Sequence, residues 1–326
     1  MLYSYCTTKD SVTEAVVKLR RSPYLILDTE GRDIGSLDGA LSLIAVGTAN
    51  ASHIFLFDVV DALSQNDIQP LLDLFADDTY MKLMWDGRQD YVELKESYGY
   101  ELVNVLDLQI AELVSRWLIR GEGERERTVR IQKLFFGFRP VRENPKAFEG
   151  LHVVTGMQRC IEEVKIDTEG KDPAIKNLYR QFGADVWMTR PLTKTLLDYA
   201  AKDIELIAKL YDRFSALRWI EGKNRIYAIE CSQRYLETRS TAGREEGDRA
   251  NVFQQNALVL GAILAGGGSE GAPMARCHAC SQMLPVASSY TTKTSRGRAT
   301  RCLTCRRCVR IAVKFDVEKS KWDIWV

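Results

Sequence analysis

The sequence predicts an α/β protein: a sheet with helices on its faces, followed by a small cysteine-rich basic module. Three observations support this. Short apolar runs alternate with stretches of helical periodicity through the first half. The chain has 326 residues, 45% hydrophobic and 27% charged, enough for one large core plus a small module. Five of the eight cysteines crowd between Cys277 and Cys308.

The elements follow in order. Val12, Ala15, Val16 and Leu19 recur at helical spacing in a helix from Ser11 to Arg21, ended by Pro23. Tyr24 to Asp28 is a buried-type strand, and Leu41–Val46 and His53–Phe57 form a hairpin across a small polar loop. A helix over Ile68–Phe75, a strand over Met81–Trp85, a helix over Tyr91–Ser97, a strand over Leu102–Leu106 and a helix over Leu108–Leu118 complete the core. Arg120 to Arg130 reads as a charged loop, within a helical insertion at about 120–190. Lys194 to Trp219 is a long amphipathic helix, a helical extension fills 216–265, and Gly266-Gly267-Gly268-Ser269 opens a linker over 266–272. The unit boundaries are therefore 1–215, 216–265, 266–272 and 273–326.

No apolar run reaches the length of a membrane span, and the first ten residues lack a secretory pattern. An intracellular location, cytoplasmic or nuclear, is expected. The net charge of +1 conceals two opposite pieces: from Ala272 onward there are eleven Lys and Arg against three Asp and Glu.

Asp28 and Glu30 end an apolar strand, and a period of two puts both carboxylates on one face. Asp90 follows the fourth strand at the start of a helix, where a plain N-cap would explain it equally well. Tyr199 and Asp203 lie four apart on one helix face. Each feature alone is commonplace.

In this order and spacing, the features resemble the DEDD exonuclease superfamily, in the subgroup with a tyrosine in its last motif. The resemblance runs from about Tyr24 to Arg213. It looks closest to the eukaryotic branch of exonuclease-domain-containing and Egalitarian-like proteins, which Leu106-Asp107-Leu108-Gln109 and Trp187-Met-Thr-Arg-Pro-Leu192 also resemble. Many members have Asn or His ahead of the second-motif Asp; here Trp85-Asp86-Gly87 stands there. Asp90 fits that motif because Leu94 follows it on the same helical face, with Asp86 as the alternative.

The resemblance implies a ribonuclease H-like mixed sheet and 3′–5′ exonuclease activity on RNA or single-stranded DNA. It also implies two divalent ions, Mg2+ or Mn2+, on Asp28, Glu30, Asp90 and Asp203, with Tyr199 orienting the attacking water. Hard carboxylate oxygens suit either ion. Some relatives act instead as non-catalytic RNA-binding adaptors.

Cys277-His-Ala-Cys280 and Cys302-Leu-Thr-Cys305 are paired knuckles matching a structural Zn2+ site in a zinc-ribbon-like module. Cys308 or His278 offers a substitute ligand. Lys293, Arg296, Arg298, Arg301, Arg306 and Arg307, with little acidic opposition, are candidates for nucleic-acid contact. A protein partner for this module is the other reading.

Overall fold

The computed structural model of the protein describes residues 2–168, 173–244, 251–254, 257–266, 272–295, 298–317 and 322–324. Most of the expected linker, and Arg296, lie outside these residues.

The chain begins with β1 (Ser4–Cys6), α1 (Lys9–Leu19), β2 (Tyr24–Arg32), β3 (Ala40–Gly47), β4 (Ile54–Asp58), α2 (Gln65–Ala76), β5 (Met81–Met84), α3 (Arg88–Tyr98), β6 (Val105–Asp107) and α4 (Leu108–Leu118). The six strands form one mixed sheet in the order β1-β4-β3-β2-β5-β6. Within it, β3 runs antiparallel to both β2 and β4, and the other pairs are parallel. The hairpin loop contains a 3-10 turn at Ala49–Ala51.

Strand alternation sorts the core into two layers. Leu25, Leu27, Ile44, Val46, Phe55 and Phe57 pack with Val12, Val16, Leu72 and Leu94 of α1, α2 and α3. Ile26, Leu43, Ala45 and Leu56 pack on the opposite face with Ile204 and Ile207. Those two belong to α9 (Lys194–Ala216), which follows α5 (Glu124–Ile131), α6 (Phe138–Glu143), β7 (Leu151–Val153), α7 (Met157–Glu163) and α8 (Pro173–Phe182).

The expected loop at 120–130 is partly a helix, α5. Its polar sequence hides an inward-facing cation: Arg127 is buried and donates to the carbonyls of Phe148 (2.8 Å) and Leu151. The Glu126 carboxylate accepts from Gly123 N at the helix start.

Glu112 and Arg116 of α4 are each 1% exposed and form a buried ion pair at 2.6 Å. Arg120 reaches the same carboxylate at 2.6 Å. Arg116 also donates to Val153 O at 2.7 Å and Thr155 Oγ1 at 2.8 Å, stitching α4 to β7. Burial alone would raise the Glu112 carboxyl, but Arg116 and then Arg120 outweigh it and hold it below its ordinary range. This stabilisation is therefore present above the ordinary glutamate pKa of about 4.3 and is lost as pH falls below it. Arg116→Met leaves the buried Glu112 carboxylate to Arg120 alone and strands two acceptors. Urea unfolding at neutral pH should show a loss of roughly 3–5 kcal/mol, and a loss under 1 kcal/mol would contradict this account.

The remaining elements are α10 (Lys223–Ser240), β8 (Leu258–Leu260), α11 (Gly261–Leu264), β9 (Met274–Arg276), β10 (Met283–Pro285), α12 (Val286–Ser289), β11 (Thr292–Ser295), β12 (Arg298–Cys302), α13 (Arg306–Phe315) and β13 (Trp322–Ile324). The α10 helix packs on β6, α3 and α4. Among the described residues the cysteine-rich tail has no separate core: Cys277, Cys280, Cys305, Cys308 and Ile311 pack in one cluster with Phe136, Phe148, Val153 and Leu260.

Candidate active site and cysteine centre

The acidic site arises where β2 loses a neighbour. The strand pairs with β5 only through Tyr24, Leu25 and Ile26, whereas its pairing with β3 continues to Arg32. Beyond Ile26 that edge is open, and Asp90 occupies it. Its Oδ1 accepts from Thr29 N at 3.0 Å and Thr29 Oγ1 at 2.6 Å, so α3 is fixed between Asp28 and Glu30. Burial pushes the Asp90 carboxyl up to about 6, against the Thr29 hydroxyl that holds it down. A neighbouring cation would favour its charged form.

Asp28 and Glu30 lie within β2 rather than at its end, and they share the face that α9 covers. A bulge follows Glu30, where Gly31 lets the Ala40 carbonyl come within 2.2 Å of the place a Cβ would take. The helix α9 approaches closely because β3 ends in Gly47; a Cβ there would sit 2.5 Å from Ile204 Cγ2. That approach delivers Asp203, 5% exposed, to the carboxylates of β2. Oxygens of Asp28, Glu30 and Asp203 all lie within 4.8 Å of one another.

Such a cluster of hard oxygens fits a divalent cation. Asp90 is outside the three-residue group but hydrogen-bonds the residue between two of its members. Tyr199 is half-buried one turn before Asp203, its ring centroid 6.2 Å from that of Trp187. The alternative second-motif residue, Asp86, is committed elsewhere. It pairs with Arg88, whose buried guanidinium also donates to Tyr235 OH at 2.8 Å. Asp107, whose capping role was not foreseen, is fully buried and accepts from the amides of Asp86, Gly87 and Gln109. Burial, followed by the charge of Asp86, pushes its carboxyl up to about 6. The turn leading into α3 is thereby pinned to the start of α4.

In the tail, the gathered sulfurs are those of Cys277, Cys280, Cys305 and Cys308, all buried and within 4.8 Å of one another. Cys302, expected as a ligand, does not belong to this group. It ends β12, pairing opposite Trp322 and donating its amide to Thr291 O, and follows the strand's register. Cys305 is instead the N-cap of α13, and Cys308 lies one turn in, so this spacing of three brings both sulfurs to one helix end. The Cys305 amide donates to Cys277 Sγ at 3.3 Å. Four thiolates suit tetrahedral zinc. With a divalent ion they would carry a net negative charge, and the buried Arg307 guanidinium lies 3.9 Å from Cys308 Sγ.

Arg307 is thus no surface contact. It is 3% exposed and donates to Phe253 O at 3.0 Å, a charge inside the module. Lys293 is exposed, Arg306 is half-buried, and Arg301 lies over the Tyr290 ring at 5.0 Å. His278 is exposed and outside the sulfur group. No helix among the described residues is long and apolar enough to cross a membrane.

Residues 3–117 match a protein-family model described as a 3′–5′ exonuclease. The match spans β1 to α4, taking in Asp28, Glu30 and Asp90 but stopping short of Tyr199, Asp203 and the cysteine centre. No curated protein matches the chain by sequence. Among solved structures, RNase D of Trypanosoma brucei is similar over 86% of this chain and 85% of its own, with a TM-score of 0.61 and 22% identity. Its complex with RNA U12 matches with a TM-score of 0.59 and 23% identity, over 86% of this chain and 83% of that one. The catalytic core of RRP6 from the same organism matches with a TM-score of 0.50 and 15% identity, over 78% of this chain and 56% of that one. The fold is that of RNase D-like exonucleases, a ribonuclease H-like mixed sheet flanked by helices.

Proposed function

We propose that the protein is a 3′–5′ exonuclease that removes nucleotides from the 3′ ends of RNA or single-stranded DNA. The observation that carries this reading is the convergence of Asp28, Glu30 and Asp203 from a strand and a distant helix, with Asp90 held at Thr29. The exonuclease match over residues 3–117 and the RNase D-like fold support it. Asp28, Glu30 and Asp203, with Asp90, would hold two Mg2+ or Mn2+ ions. When bound, such ions acidify a water and offset charge on the departing 3′ oxygen. Tyr199, on the Asp203 face of α9, would orient the attacking water. Its place four residues before Asp203 supports the tyrosine-containing subgroup, and the segments at 106–109 and 187–192 support the Egalitarian-like branch.

The remaining assignments belong to the same reading. Residues 1–215 form the nuclease unit and 273–326 the module. Cys277, Cys280, Cys305 and Cys308 hold a structural zinc. Lys293, Arg296, Arg298, Arg301 and Arg306 contact phosphates, a role in keeping with the RNA seen in the complex of the RNase D relative. The chain works inside the cell, in cytoplasm or nucleus.

The test uses 5′-labelled RNA and single-stranded DNA in parallel with Mn2+. A ladder of products shortened from the 3′ end, lost in Asp28→Ala, is expected. Hydrolysis that survives this substitution would remove the assignment. Tight RNA binding by the wild-type protein without hydrolysis would favour the adaptor role.

A further inference from the structure

We propose that Arg190 is a positioning residue of the nuclease centre: it clamps the turn carrying Trp187, and Trp187 sets the orientation of Tyr199. The proposal rests on the exonuclease reading above.

The clamp is a buried network on the strands beside β2. The Arg190 side chain is 14% exposed and that of Asp58, at the end of β4, is 3% exposed. The two form a fork-to-fork pair, with Nε donating to Asp58 Oδ2 at 2.7 Å and Nη2 to Oδ1 at 2.7 Å. The same guanidinium donates from Nη2 to Ser42 Oγ at 2.9 Å and from Nη1 to Trp187 O at 2.7 Å. Ser42 Oγ donates to Trp187 O as well, at 2.5 Å. The hydroxyl of Tyr5 also donates to Asp58 Oδ2, the oxygen that accepts from Arg190 Nε.

The carbonyl of Trp187 therefore receives two donors, both fixed to the sheet. Ser42 immediately precedes Leu43, the residue opposite Glu30, so the clamp stands beside the carboxylate strand. The indole of Trp187 is fully buried and lies 6.2 Å from Tyr199 at an interplanar angle of 53°. Paired rings at this separation and tilt hold one another's orientation. The second tie on this turn, Arg32 to Asp185 at 3.3 Å, has side chains 40% and 70% exposed and contributes little. Arg190 is thus the buried charged restraint on the turn, acting with Ser42 on the Trp187 carbonyl. Lysine would keep the charge but lacks the planar fork that serves Asp58, Ser42 and Trp187 together.

A double-mutant cycle of Arg190→Lys and Tyr199→Phe tests the proposal, with turnover measured on a short single-stranded oligonucleotide in Mn2+. Arg190→Lys alone should lower kcat roughly tenfold, as small misplacements do, with KM within about twofold. In the Tyr199→Phe background the same change should cost less than about twofold. Full losses that simply multiply would overturn the proposal. Near-UV circular dichroism gives a readout free of activity. The band lost in Trp187→Phe should also flatten in Arg190→Lys at unchanged far-UV signal, and its persistence would overturn the clamp. Should Arg190→Lys fail to fold, Ser42→Ala removes one of the two donors to Trp187 O and should weaken the same band. A wild-type protein that does not hydrolyse would defeat the nuclease reading alone, since the band still reports on the clamp.

Discussion

Asp203→Asn should abolish most nuclease turnover while leaving the metal-free protein as stable as before, or more so. Three carboxylates with oxygens within 4.8 Å repel one another when no cation separates them. Removing one charge relieves on the order of a few kcal/mol of repulsion, because Glu30 and Asp203 are buried and Asp28 is half-buried. The amide keeps the volume, so the packing of α9 on the sheet is retained. With the divalent ion the sign reverses. A lost anionic ligand costs several kcal/mol of transition-state stabilisation, and about 4 kcal/mol corresponds to roughly a thousandfold in rate. Mn2+ should raise the melting temperature of the wild-type protein and not that of Asp203→Asn. A variant that keeps its turnover, or whose metal-free form melts well below the wild type, would exclude Asp203 from the site.

The second large effect separates two cysteines that the sequence treats alike. Cys308→Ser should lose zinc and unfold the tail, with elemental analysis falling from one ion per chain towards none. Binding of such an ion is itself folding free energy, so the loss should be several kcal/mol. Cys302→Ser should keep the ion, since that sulfur lies outside the four-sulfur group. The opposite pattern, with zinc retained in Cys308→Ser and lost in Cys302→Ser, would return the site to the first two knuckles.

That contrast shows what spacing leaves undetermined. Two overlapping CxxC pairs share Cys305, and only the start of α13 decides which pair supplies sulfur. The same limit applied to Arg307, whose charge suggested the surface while its position turns it inward. β2 through β5 were legible because buried strands are largely apolar, whereas β6 covers Val105–Asp107 and not the expected Leu102–Leu106. β1 was not, since three residues with one buried side chain carry no pattern. α5 read as a loop because its hold on the fold comes from Arg127 and two distant carbonyls. Strand and helix periods put Asp28 beside Glu30 and Tyr199 beside Asp203, but it was the resemblance to DEDD exonucleases that joined the two pairs into one candidate site. That Asp90 would meet Thr29, and that Gly47 would admit α9, are facts of tertiary approach.

An appendage on a tether can be shed without injury to its host. Here the sulfur centre shares its oily interior with Phe136 and Val153, and the carbonyl of Val153 is one of the groups that satisfies Arg116 beneath α4. Cutting the chain ahead of Met274 would therefore strip the roof from the insertion and wet the Phe136 and Leu260 wall. A disturbance of the four cysteines would reach the acidic site by this same route, as a loosening that begins in the tail and arrives at the floor of the sheet.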